Sequence, residues 1–181
     1  MSNRITIAVD EKSLLTLQEL KECSKESQSE ICRKAIKFYS KYKKQFENNE
    51  NFNRKIDIYI EMLSTGEHLI LDLEHYLSIL KFIEDSPDKE KFWEEHEQIS
   101  RHHAEEFTHY TKKIEEVLER LATCNLFKII KETPENFSLL LGSDIPKTFI
   151  RIMLKEIFTG MGFNVEINEG FSKLRVLIKK Q

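Results

Sequence analysis

The feature that most constrains this chain lies at its start. Ile5, Ile7 and Val9 alternate with Arg4, Thr6 and Ala8, and a helical pattern follows at once. A period of two marks a strand with one apolar face. The next strand pattern begins only at Phe127. A strand this short cannot bury its face alone, and an isolated strand has two open edges. A second copy is the economical remedy. Two strands pair antiparallel, Ile5, Ile7 and Val9 enter a shared core, and Arg4, Thr6 and Ala8 point outward. A two-stranded ribbon of that kind fits the major groove of DNA.

The residues that follow complete a module. Asp10 offers an N-cap, and Leu14, Leu15, Leu17 and Leu20 recur at helical spacing. Ser24-Lys25-Glu26 breaks the helix. Ser27 and Glu30 then stand as a capping box, the serine accepting from the third amide and the glutamate reaching back. Ile31, Ala35, Ile36 and Tyr39 continue one helical face. The order is strand, helix, turn, helix.

This strand, the leucine helix and the run Ser27-Gln28-Ser29-Glu30-Ile31-Cys32-Arg33-Lys34-Ala35-Ile36 together resemble the ribbon-helix-helix repressors of the CopG/Arc/MetJ kind. The resemblance covers about 40 residues at the N-terminus. It implies base contacts from Arg4, Thr6 and Ala8, and DNA-backbone contacts from Ser27, Gln28 and Ser29. Two departures stand out. Ala8 occupies a position often polar in the family, and the turn lacks the frequent glycine before its serine.

Charge follows the same division. Residues 1–45 hold 10 Lys/Arg against 6 Asp/Glu, whereas residues 46–124 hold 9 against 19 and residues 125–181 hold 9 against 6. A basic head can bind phosphates while an acidic middle stays off them. The overall net charge of −3 hides this.

The fold expected is α+β, in three parts. Residues 1–45 are the ribbon-helix-helix module, for DNA binding and dimerisation. Residues 50–125 read as a long antiparallel helical hairpin. One apolar stripe runs from Phe52 to Leu80 and a second from Phe92 to Leu121, with Pro87 placed to open the second helix. Asn48-Asn49-Glu50-Asn51 reads as the hinge before it. Residues 126–181 read as a small ββαββ layer. Its strands are Phe127 to Lys131, Phe137 to Leu141, Phe163 to Ile167 and Leu174 to Ile178. Ser143-Asp144 is expected to cap the helix, which Gly160 and Gly162 stop. On the last strand, Lys173, Arg175 and Lys179 make a basic face, read as solvated or as a second DNA contact.

Histidines raise a second reading. His68, Asp72 and His75 sit at i, i+4 and i+7, and His102, Glu106 and His109 repeat that spacing. Neighbours at i, i+4 can share zinc, nickel or iron. The outer two of each set are about 10.5 Å apart along a helix and cannot both bind one ion. A solvated face is the plainer account of these six. His96 and His103 fall on the apolar stripe itself, as core histidines or as the lining of a metal, haem or small-ligand pocket. The nickel-responsive repressor joins a similar head to a metal-sensing domain. The C-terminal layer here has neither histidine nor cysteine, so its ligands do not carry over.

Cys23, Cys32 and Cys124 are odd in number and form no CxxC pair, which argues against a disulfide framework or zinc knuckle. No Gly-rich phosphate loop, GxSxG or HExxH occurs, and no enzyme is expected. No apolar run approaches a membrane span, and no secretory signal is read at the N-terminus. The expectation is a cytoplasmic, sequence-specific transcriptional regulator, a repressor acting as a homodimer or dimer of dimers on double-stranded DNA, without membrane partner or cofactor. The alternatives are a metal- or haem-responsive repressor working through the helical histidines, and an antitoxin or scaffold that uses the head only to dimerise.

Overall fold

The computed structural model describes residues 5–47, 52–66 and 68–179. The chain forms two compact units, residues 1–56 and 57–181. It is α+β, with seven helices and one four-stranded antiparallel sheet near the C-terminus among the described residues.

In the first unit, helix α1 spans Glu11–Ser24 and α2 spans Gln28–Glu47. Asp10 caps α1, its Oδ1 accepting from the Ser13 amide at 2.7 Å. Lys25 ends it in the left-handed region at φ 57°, with its amide donating to the Lys21 carbonyl. The Ser27 hydroxyl accepts from the Glu30 amide at 3.2 Å and opens α2. The Glu30 carboxylate goes forward to Arg33, whose Nε lies 3.0 Å away, so the expected box forms only its serine half. Residues 5–10 belong to no ladder. The strand expected there is therefore not seen within one chain, and the reason is physical. A strand exists by hydrogen bonding to a neighbour, and the described residues of this unit supply none.

The second unit corrects the expected hairpin. Where two long helices were expected, the described residues between 52 and 123 form four, α3 (Phe52–Ser64), α4 (Leu73–Glu84), α5 (Lys89–Tyr110) and α6 (Ile114–Thr123), of which α3 begins in the first unit. The first long stripe breaks at Gly66, whose φ of 75° suits a residue without Cβ. Asp72 then caps a new helix by accepting from the Glu74 and His75 amides. The second stripe breaks at Thr111, whose φ of −150° is extended backbone.

The buried face of α5 is His96, Ser100, Ala104 and Phe107, while Ile99 and Tyr110 are exposed. That face lies chiefly along helix α7 (Lys147–Gly160), rather than along α4. Arg101 and Glu156 bridge the same two helices at 2.7 Å.

The ββαββ order is as expected. Strands β1 (Lys128–Thr133), β2 (Asn136–Leu140), β3 (Val165–Gly170) and β4 (Lys173–Ile178) are ordered β1-β2-β4-β3. Phe137 pairs with Val176 and Leu139 with Leu174 across β2 and β4. All four are buried against Ile150, Leu154, Ile157 and Phe158 of α7 and Val117 and Leu118 of α6. The opposite face of the sheet carries Arg175, which approaches Glu132 at 3.9 Å. Lys179 pairs with Glu166, so part of the expected basic face is neutralised. Pro146, not Ser143 or Asp144, precedes the first turn of α7. Asp144 instead pairs with Lys147 and accepts from the Ser172 amide at 3.0 Å, which ties down the β3–β4 turn. No helix among the described residues is long and apolar enough to cross a membrane.

Candidate nucleic-acid interface

The first unit has no buried residue among those described. Ile5 is 81% exposed, Ile7 64% and Val9 50%. Leu14, Leu15, Leu20, Ile36 and Tyr39 are exposed as well. An open groove of about 470 Å³ between α1 and α2 is lined by Leu20, Ile31, Ala35 and Phe38. A well-capped helix pair here leaves many apolar side chains open to solvent.

Thr6 and Ala8 are exposed on the segment leading into α1, and Arg4 lies outside the described residues, as does the Asn48–Asn51 stretch read as a hinge. Ser27, Gln28 and Ser29 are exposed at the start of α2. The first amides of a helix have no intrahelical acceptor and favour an anion. The Ser27 hydroxyl takes the Glu30 amide, leaving those of Gln28 and Ser29 at the helix mouth. Farther along, Lys37 and Lys41 are exposed, and Lys34 binds Glu26. That hydrogen bond raises the Lys34 ammonium above its ordinary value and keeps it charged. The Ser13 amide likewise holds the Asp10 carboxyl low, so the α1 cap stays ionised.

The histidines do not assemble. Among the described residues, no three His, Cys, Asp or Glu side chains are placed to hold a metal ion. His68 precedes α4 and its Nδ1 lies 3.0 Å from the Met62 carbonyl. Asp72 is the cap of α4, and only His75 is helical, so the expected three-residue helix face does not exist. His75 and Asp72 approach only to 3.7 Å. On α5, His102 and His109 are exposed, and His103 meets Glu106 at 3.5 Å, one position from the expected His102–Glu106 pairing.

His96 is a core residue. It stacks on Phe149 with ring centroids 3.9 Å apart, and its Nε2 lies 2.9 Å from the Phe149 carbonyl. The carbonyl only accepts, so Nε2 carries the proton. Burial pushes the imidazole below its ordinary value, against that hydrogen bond and the Glu97 charge. The three cysteines are free thiols, Cys23 and Cys124 exposed and Cys32 half-buried.

The run Leu69-Ile70-Leu71 is exposed and lay outside the expected site residues. Its signal was present, because that run sits between a glycine break and the Asp72 cap. No protein-family model, curated protein or solved structure matches the chain.

Proposed function

We propose that this chain is a ribbon-helix-helix transcriptional regulator that binds DNA as a homodimer through its first unit. One observation carries the reading. A capped helix pair, preceded by an alternating Ile5-Ile7-Val9 segment, leaves Leu14, Leu15, Leu20 and Ile36 exposed and Leu17 and Ile31 only half-buried. In the proposed dimer the two segments pair antiparallel, the six apolar side chains close over the leucines of α1, and the groove between α1 and α2 fills.

Arg4, Thr6 and Ala8 then face outward as a ribbon. An arginine can read guanine, a threonine hydroxyl several base edges, and an alanine methyl the thymine methyl. The α2 amides near Ser27, Gln28 and Ser29 hold a phosphate on each side. The excess of basic residues over residues 1–45 supports phosphate contact. The working compartment in this reading is the cytoplasm.

The test is titration of labelled upstream promoter DNA with purified protein, at several salt concentrations and against excess random duplex. Competitor-resistant binding with a steep salt slope is expected. It should be lost in Arg4→Ala/Thr6→Ala while the dimer persists. No preference over random duplex would sink the reading and leave the head as an assembly device.

A further inference from the structure

The described part of residues 57–88 combines two properties that are seldom left together on a finished surface. It is apolar and exposed, and it is acidic. Leu69 is 93% exposed, Ile70 87% and Phe82 79%, and Leu71, Leu73 and Ile79 are at least half exposed. Four of these six fall within five consecutive residues. Ile79 and Phe82 are one turn apart on α4, on the side away from buried Leu80. Large exposed apolar patches on a protein mark interaction sites more often than chance.

The setting of the patch is built. His68 closes the turn against the Met62 carbonyl, and Asp72 caps α4 through two amides. Leu69, Ile70 and Leu71 are therefore held between two fixed points.

Charge decides what can cover it. Residues 57–88 contain eight Asp/Glu and a single basic residue, Lys81. The seven described carboxylates among them are all exposed. Glu61 reaches out to Arg120 and Glu84 to Lys89. A second copy of this surface would bring the same negative charge against it, and like charges juxtaposed across an interface are strongly disfavoured. Nucleic acid and anionic lipid are excluded by the same argument. A cationic polypeptide with an apolar stripe satisfies both properties at once, and helices of that kind dock by i, i+3, i+4 anchors.

We infer that the Leu69–Phe82 surface is a docking site for a basic amphipathic helix of another protein. The apolar stripe of the partner covers Leu69, Ile70, Ile79 and Phe82, and its lysines or arginines meet carboxylates of the same segment such as Glu74 and Asp85. The contact lies wholly in the second unit and is independent of DNA binding by the first.

The experiment uses the full chain and a synthetic helix of about 18 residues, five turns, with leucines on one face and lysines elsewhere. Binding is followed by calorimetry at low and at raised salt. The basic head repels this probe, which limits binding there. Saturable binding is expected, weakened about tenfold or more in Ile70→Ser/Phe82→Ser, which removes its buried anchors. Binding should also weaken in Glu74→Gln/Asp85→Asn and at higher salt. Circular dichroism and thermal melting verify that these surface variants fold. Binding unchanged in Ile70→Ser/Phe82→Ser overturns the inference, as does equal binding of a control helix with serine in place of leucine. Self-association beyond the dimer that Ile70→Ser/Phe82→Ser dissolves overturns it too, because the occupant would then be a second copy.

Discussion

A Cβ added to Gly160 would sit 2.6 Å from the Cβ of Ala104, so at this point α5 and α7 approach until only a hydrogen fits between them. Ala104 is buried and its Cβ cannot swing away. Gly160→Ala is therefore an overpacking change, although alanine is the better helix former by about 0.5–1 kcal/mol. Overpacking costs about 1–3 kcal/mol, and the clash wins. Urea unfolding should show a net loss of about 1 kcal/mol for Gly160→Ala and more for Gly160→Val. Ala104→Gly should restore much of the loss in the double variant. An unchanged midpoint for Gly160→Ala would mean that the two helices are free to separate.

His96 imposes a pH dependence whose sign is set by burial. Its folded pKa lies below the ordinary 6.5. Above about pH 6.5 both states are neutral and it contributes no slope. As pH falls through that value the unfolded chain binds the proton first, so stability declines until the pH passes the lower folded value. Between about pH 6.5 and 5 the ordinary carboxylates remain ionised, which separates the two effects. His96→Phe keeps a ring against Phe149, gives up the bond to its carbonyl at a cost of about 1 kcal/mol, and should flatten the slope in that window. Denaturant midpoints measured across it will tell.

Ile7 is useful because a single chain does not bury it. If the copies join as proposed, Ile7→Asp should leave the second unit folded, give a monomer in sedimentation where the unaltered chain gives a dimer, and abolish DNA binding. If the dimer survives, the ribbon is not what joins the copies.

Ser27→Ala removes the hydroxyl that accepts the Glu30 amide. Loss of such a cap costs about 1 kcal/mol. In the proposed complex Ser27 meets the DNA backbone, so affinity should fall by a similar factor for specific and random duplex, because a contact of that kind carries no sequence information. A loss confined to specific DNA would assign Ser27 to base reading instead.

Tyr59 joins α3 to the end of α6 by donating its hydroxyl to the Thr123 carbonyl at 2.7 Å. Tyr59→Phe keeps the ring and removes that bond. A loss of about 0.5–1.5 kcal/mol is expected, together with faster amide exchange in α3.

Much of the local structure could be read from residue order alone. The Asp10 cap, the Ser27 start of α2 and the β-β-α-β-β order after Phe127 depend on neighbours a few positions away. Period and capping chemistry report those directly. The apolar stripes of the middle region were equally visible, but their continuity was not. Gly66 and Thr111 break them, and glycine inside a helical pattern does not by itself announce a stop. The histidine triplets illustrate the same limit. His68-Asp72-His75 lies on one face only if the helix begins before residue 68, and Asp72 begins it afterwards.

What residue order determined is the Asp10 and Ser27 helix starts, the β-β-α-β-β order after Phe127, the division of charge, and an alternating N-terminal segment whose apolar side chains are exposed among the described residues. Those properties are local or additive along the chain. What only the tertiary structure decided is which helix α5 packs upon, that His96 rather than Ile99 faces the core, and that Leu69, Ile70 and Phe82 face outward. A helix offers several faces of similar hydrophobicity, and the buried one is chosen by the best fit to a distant surface. Here that fit is the close approach of Ala104 to Gly160, which lie far apart in the chain and touch only after it folds.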